Sequence, residues 1–420
     1  MKRGMLAALG VAAAGVVGIA AWLEWPEIGE HVTATDVPPT PELIEQGQYL
    51  ARAGDCIACH TVPGGTPFAG GRRIETPFGD VFSSNLTPDD ATGLGTWSSA
   101  DFWRAMHYGK SRDGRRLYPA FPYTNLTRVT RADSDALFAY LKSLPPAASP
   151  PKPATVAFPY NTQLALRVWR ALYFRPGEMT EDPQRSAQWN RGAYLVEGLG
   201  HCNACHGART WLGGTDAAAG YSGGTLPQLG WDAPPLGADR PLTDAEAAQL
   251  KDLLQAGTSA RDVTTGPMAE VVFHSLQHLR DADLTAIVDY LRTLPAAHPE
   301  TARFGPLVGA EQGDALRMLG ATVYREHCSD CHGADGLGKP LVYPALAANR
   351  LVTAESANNA LRTVLFGGFA PSTAKHPRPY GMPPFAHQLS PTEIAAVLTY
   401  VRSAWGNDAP AVSPAAVSER

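Results

Sequence analysis

One five-residue stretch occurs three times in this 420-residue chain: Cys56-Ile57-Ala58-Cys59-His60, Cys202-Asn203-Ala204-Cys205-His206 and Cys328-Ser329-Asp330-Cys331-His332. Each reads C-x-x-C-H, the attachment sequence of a c-type haem. Two thiols three positions apart reach the two vinyl groups on one edge of a porphyrin. The histidine that follows is then held under the iron. The three copies use all six cysteines of the chain. A redox C-x-x-C, or half of a zinc site that happens to precede a histidine, is the plainer alternative. Zinc needs four ligands, and no second Cys or His pair stands at finger spacing within any one repeat. The expected cofactors are therefore three covalently bound haem c groups, on Cys56 and Cys59, Cys202 and Cys205, Cys328 and Cys331. His60, His206 and His332 are the expected proximal iron ligands.

The chain is too long for one core and suits about three domains of ordinary size. Its formal net charge is −5. No basic run or basic domain is present, which excludes nucleic acid as a partner. With 36 Pro, 41 Gly and only 18% charged residues, the composition fits small, loop-rich helical domains wrapped around a cofactor. Covalent haem attachment takes place outside the bacterial cytoplasm, so export is expected. Residues 1–30 agree. Lys2 and Arg3 precede an uncharged run from Met5 to Leu23, and Glu24, Glu27 and Glu30 follow it. Nineteen helical residues span about 28 Å, close to the hydrocarbon thickness of a bilayer. The flanking charges orient the rest of the chain outward. Small-x-small sites such as Gly18-Ile19-Ala20 lie inside the apolar run, which favours a retained membrane anchor over a cleaved signal peptide.

The motifs set a repeat: 146 residues separate Cys56 from Cys202, and 126 separate Cys202 from Cys328. Each repeat opens on a helical segment with Gly and Tyr before the motif, as in Gly47-Gln48-Tyr49-Leu50, Gly192-Ala193-Tyr194-Leu195 and Gly320 to Tyr324. Each closes on an amphipathic helix. Leu137, Tyr140, Leu141 and Leu144 share a face in the first, with Asp133 or Ser134 as N-cap. Leu284, Ile287, Val288, Leu291 and Leu294 do so in the second. Ile394, Val397, Leu398, Val401 and Trp405 do so in the third, capped by Ser390 with Pro391 first in the helix. The reading is all-α: three tandem class I cytochrome c domains over residues 40–146, 189–296 and 314–407. Linkers occupy 147–188 and 297–313. The Ala-, Pro- and Ser-rich tail 408–420 is expected to be disordered. The apolar stretch Ala165–Phe174 is expected to pack, either between domains or on a partner.

Electron-transfer haems of this type pair the histidine with a methionine, which raises the potential. Of seven methionines, Met106, Met268 and Met382 fall one per repeat, 46, 62 and 50 residues after the proximal histidine. Met268 and Met382 are expected in Gly/Pro loops before the last helix. Met106 instead falls on the middle helix, while the loop reads Tyr118-Pro119-Ala120-Phe121-Pro122-Tyr123, and Phe cannot ligate iron. Three outcomes stay open for the first haem: ligation by Met106, ligation by His107, or an open or water-bound site. The other histidines are expected at the surface or at a haem edge.

Longer stretches carry a resemblance. These are Asn85-Leu86-Thr87-Pro88-Asp89 with Thr92 to Trp97, Asp113 to Ala120, Arg191 to His206, Gly266 to Val272, Met382-Pro383-Pro384-Phe385 and Ser403 to Asn407. Through them the chain resembles, over residues 40–407, the tri-haem cytochrome c subunits of bacterial membrane-bound alcohol, aldehyde, gluconate and sugar dehydrogenases. The resemblance implies an electron-transfer subunit on the periplasmic side of the inner membrane, without catalytic residues of its own. It would take electrons from a catalytic subunit (molybdenum, quinoprotein or flavoprotein) and pass them to ubiquinone. A small iron–sulfur or accessory subunit is a further implied partner. Phe121 departs from the pattern of many members. It is similar to subunits paired with molybdenum hydroxylases, which carry Met at the position of Met106, and so points to an aldehyde or N-heterocycle partner, with alcohol dehydrogenase beside it. Two other readings stay open: a stand-alone membrane-anchored shuttle, and a peroxidase-like haem enzyme with an open first haem.

Overall fold

Gly47, Gly192 and Gly320 explain how the helices meet. In the computed structural model, a Cβ on Gly47 would lie 1.9 Å from the Ala136 carbonyl oxygen and 2.8 Å from Cβ of Tyr140. On Gly192 it would lie 2.0 Å from the Ala286 oxygen and 2.8 Å from Tyr290; on Gly320, 2.1 Å from the Ala396 oxygen and 2.8 Å from Tyr400. One crossing, Gly on the opening helix against Ala-x-x-x-Tyr on the closing helix, thus occurs three times. Glycine is needed because the backbones touch where any side chain would stand.

The structure describes residues 38–226, 228–238, 240–296 and 308–419. The expected anchor at 1–30 lies outside these residues. Among the described residues no helix is long and apolar enough to cross a membrane. The chain divides into two compact units. The first holds Met1–Ser186, Ala193–Ala204 and Arg209–Asp216; the second holds Ala187–Gly192, Cys205–Ala208 and Ala217–Arg420.

In the first unit, α1 (Pro41–Ala53) leads into α2 (Cys56–His60), the first motif. A hairpin of β1 (Arg73–Thr76) and β2 (Gly79–Phe82) follows, then α3 (Ser99–Tyr108), α4 (Tyr123–Leu126) and α5 (Arg131–Ser143). Thr130 caps α5, its hydroxyl accepting from the Asp133 amide at 3.2 Å. The helix therefore starts earlier than a cap at Asp133 or Ser134 would place it. Asp133 is turned to other work, accepting from the Tyr194 hydroxyl at 2.6 Å.

Residues 147–188 are not a free linker throughout. Thr162 caps α6 (Gln163–Tyr173), whose inner face buries Leu166, Arg170 and Ala171. The Arg170 guanidinium is fully buried, lies over the Tyr123 and Phe174 rings and donates to the Tyr108 carbonyl at 2.6 Å. This unit also contains the π-helical turn Tyr194–Leu199. The Asn125 amide donates to the Glu197 carbonyl at 2.7 Å and to Asn203 Oδ1 at 2.8 Å. The approach to the second motif is thereby fastened to α4.

The second unit takes up α7 (Ala187–Ala193) through Gly192, α8 (Asn203–His206) from Cys205, and a hairpin of β3 (Gly224–Leu226) and β4 (Trp231–Ala233). Then come α9 (Asp244–Ala256), α10 (Gly266–His274) and α11 (Asp281–Leu291). Arg191 clamps Asp283 at the start of α11 through two bonds of 2.8 and 3.0 Å. The last repeat comprises α12 (Ala310–His327), α13 (Ser329–His332), α14 (Arg350–Thr353), α15 (Asn358–Phe366), β5 (Gly368–Phe369), β6 (Gly381–Met382) and α16 (Pro391–Ser403). Ser390 and Glu393 cap α16 reciprocally, with Pro391 in its first turn.

Two expectations are corrected. Among the described residues the fold is mostly helical but carries three two-stranded antiparallel pairs. The tail is ordered: α17 (Pro414–Ser418) follows Asn407, and Val412, Ala416 and Val417 are buried, Val412 and Val417 within the core of α16. The Thr399 hydroxyl accepts from the Val412 amide at 3.0 Å, and Arg402 Nε donates to the Pro410 carbonyl at 2.9 Å. Composition suggested disorder because three small apolar anchors are a weak periodic signal.

Candidate haem-attachment sites

Each motif is a short helix with its first cysteine half-buried and its second exposed, and none of the six is in a disulfide. Burial pushes the Cys56 thiol up to about 12, helped by the nearby Asp55 and Cys59 charges, and the Cys328 thiol up to about 11.

The three histidines share one geometry. His60 Nδ1 donates to the Ser84 carbonyl at 2.7 Å, His206 Nδ1 to the Pro234 carbonyl at 2.7 Å, and His332 Nδ1 to the Pro344 carbonyl at 2.9 Å. A carbonyl only accepts, so each Nδ1 carries the proton and each Nε2 keeps its lone pair for a metal. Burial lowers the pKa of all three, against the carbonyl bond that raises it, so the neutral ligating form is favoured. Each histidine's own carbonyl accepts from a glycine amide: Gly70 at 2.8 Å, Gly223 at 2.9 Å and Gly338 at 2.8 Å. All three glycines have positive φ (71°, 87° and 63°), so the turn after each motif is closed by a residue for which that conformation is cheap. Arg72 also donates to the Ala58 carbonyl at 2.7 Å, and Arg209 to that of Ala204.

None of these acceptors was legible in the sequence. A backbone carbonyl belongs to every residue, so the positions of Ser84, Pro234 and Pro344 leave no compositional trace. The glycines were visible only as glycines among many. The Ala-x-x-x-Tyr half of the crossing was not read from the sequence either, although it recurs in all three closing helices and could have served as its signal.

Met106 is buried on α3, as its helical placement predicts. Met268 stands in the first turn of α10 rather than in a loop, because Pro267 at the start lets the Gly/Pro stretch enter a helix. Met382 lies in β6 against the core of the last repeat. His107, one of the candidates at the first haem, is buried. It stacks on Trp103 with ring centroids 4.3 Å apart, and burial lowers its pKa to about 4 against a bond to the Thr127 backbone. His201 is likewise drawn inward, and burial lowers its pKa against bonds to the Gly54 backbone and its own. The third repeat also exposes the apolar side chains of Leu337, Leu341, Phe369 and Tyr380. The paired thiols and the histidine with a free Nε2 in each motif are a donor set that fits haem.

The fold and these sites define a cytochrome c: the cytochrome c family profile matches residues 44–145 and 318–405, which carry the first and third motifs. The chain is 34% identical to the alcohol dehydrogenase (quinone) cytochrome c subunit of Gluconacetobacter polyoxogenes, over 92% of this chain and 86% of that protein. It is 37% identical to the gluconate 2-dehydrogenase cytochrome c subunit of Pantoea cypripedii, over 88% and 87%. It is 41% identical to a nicotinate dehydrogenase subunit of Pseudomonas putida, over 97% of this chain but 34% of that longer protein. The chain spans about a third of the length of that last relative. The chain belongs to the family of dehydrogenase cytochrome c subunits, and its role is electron transfer.

Proposed function

We propose that this subunit carries electrons one at a time from a catalytic dehydrogenase through three haem c groups to ubiquinone, on the periplasmic face of the inner membrane and anchored by residues 1–30. The observation that carries the reading is the threefold recurrence of one ligand arrangement: a cysteine pair, a histidine whose Nδ1 is tied to a carbonyl, and a glycine amide on that histidine's carbonyl. Haem supplies the one-electron redox chemistry. The chain's residues hold and tune it. The cysteine pairs would fix each porphyrin edge, the carbonyl bonds would orient His60, His206 and His332 toward the iron, and Met106, Met268 and Met382 would help to hold it. For the first haem, Met106 is preferred on the resemblance, and the buried His107, which stacks on Trp103 and keeps its Nδ1 without a hydrogen-bond partner, is the alternative. The catalytic partner is of the molybdenum type, oxidising an aldehyde or an N-heterocycle. Met106 with Phe121 supports this reading through the resemblance, as does the relative named for nicotinate, an N-heterocyclic carboxylate. Alcohol dehydrogenase is the second partner class.

The test uses the protein taken gently from its native membrane and air-oxidised. Visible spectra are recorded as alcohols, aldehydes, sugars and N-heterocycles are added in turn. Rapid haem reduction by an aldehyde or N-heterocycle, reversed by ubiquinone, is expected. No reduction by any of them, in a preparation without a second large chain, would overturn the reading and favour the shuttle. Peroxide turnover at the first haem would favour the peroxidase-like reading instead.

A further inference from the structure

Helix α6 carries a feature that the electron-transfer role does not use. Its inner face is packed, with Leu166, Arg170, Ala171 and the following Phe174 buried. Its outer face is apolar as well. Leu164, Val168 and Leu172 stand at i, i+4 and i+8 and are 64, 37 and 46% exposed. A surface helix ordinarily turns polar residues outward, and an outward aliphatic ridge marks a contact surface. Large aromatics flank it. Phe158, 81% exposed, lies in the turn before the helix. Trp211, 82% exposed, lies in a loop fastened to the helix, because Trp169 Nε1 donates to the Leu212 carbonyl at 3.0 Å and Gly214 faces the Tyr173 ring.

Charge selects the occupant. No Asp or Glu occurs between Asp135 and Glu178, while Lys142, Lys152, Arg167, Arg170 and Arg175 fall in that stretch of a chain whose net charge is −5. Arg170 is committed to the interior, but Lys152 and Arg175 are exposed. An aliphatic ridge bounded by exposed Trp and Phe, on an acid-free and cationic segment, has the composition of a helix lying in a bilayer interface. There the apolar face enters the acyl boundary, aromatics sit at headgroup level and cations meet anionic lipid.

We propose that α6 docks this subunit on the lipid surface, with Leu164, Val168 and Leu172 dipping below the headgroups and the exposed Arg175 at the end of the helix meeting anionic phosphates. The proposal deepens the membrane-side location above but assigns it to a second element, independent of residues 1–30. It would hold the first haem repeat, which shares a unit with α6, against the phase in which a quinone is dissolved.

The test places spin labels at Leu164→Cys, Val168→Cys and Leu172→Cys, one per variant, with Glu178→Cys as the water-facing control. The six native cysteines all lie in the motifs, and a visible haem spectrum checks each variant's fold. The full chain, purified without other subunits, is reconstituted in phosphatidylethanolamine–phosphatidylglycerol vesicles. Label collisions with oxygen, which concentrates in lipid, and with a water-soluble nickel chelate are then measured. Expected at all three positions is a gain of oxygen collisions and a loss of nickel collisions against Glu178→Cys. Nickel access equal to the control, with the protein still on the vesicles, overturns docking by α6 while leaving the membrane location standing. Protection from both reagents also overturns it, by pointing to a second copy on the ridge. Protein that stays in solution overturns both readings.

Discussion

At the scale of single residues, the chemistry rests on three histidine rings whose tautomers are set by carbonyl oxygens 12 to 28 residues downstream. The bond fixes ring orientation and leaves Nε2 free to hold a metal. The residue that would hold the iron opposite the histidine is one determinant of the potential. Replacing Met382 by His should lower the midpoint potential of the third haem, since a second imidazole favours ferric iron relative to a thioether. A spectroelectrochemical titration reads that shift, and an unmoved potential would remove Met382 from the ligand set. Met106→Ala should turn one haem high-spin in its visible spectrum, whereas His107→Ala should leave all spin states as they are. The opposite pair of results would assign His107. The cysteines, proximal histidines and candidate methionines were legible because covalent chemistry demands those residue types. The tying carbonyls, the buried Arg170 and the stacked His107 were not, because burial and backbone acceptance depend on how the chain folds back on itself.

At the scale of elements, the Gly against Ala-x-x-x-Tyr crossing is the part of the fold with least tolerance. Gly47→Ala would press a methyl group against the Ala136 carbonyl, a backbone group that cannot rotate away. Such overpacking costs roughly 3 kcal/mol. Urea denaturation followed by haem absorbance checks it, and an unchanged midpoint would mean the helices can separate freely. Gly320→Ala should behave alike in the last repeat. The tail gives a second test. Deleting residues 408–420 removes Val412, Ala416 and Val417 from the interior, which should cost about 3 kcal/mol by loss of buried apolar surface and leave the Arg402 guanidinium without the Pro410 carbonyl. The closing helices were readable from their 3.6-residue periodicity, and Ser390 from its capping pattern. The start of α5 was missed because Thr130, Asp133 and Ser134 are all acceptable caps. Only the tertiary bond from Tyr194 to Asp133 separates them.

At the scale of the whole molecule, the three motifs fall in two compact units, and the chain passes from the first to the second between Ala204 and Cys205. Within the first unit, Arg128 pairs with Glu197 at 3.1 Å, Asn125 holds Glu197 and Asn203, and the Tyr194 hydroxyl meets the Thr130 amide at 3.2 Å. Periodicity describes one repeat at a time and carries no record of such long-range polar bonds. The central claim is that each of the three motifs holds a haem, and the second is the critical one because it lies outside both family matches. Intact mass spectrometry of the protein purified from its native host, beside a Cys202→Ala, Cys205→Ala variant, tests it most directly. The account predicts the mass of the polypeptide plus three haems, falling by one haem in the variant while the other two remain. A native protein carrying two haems, unchanged in the variant, would contradict it.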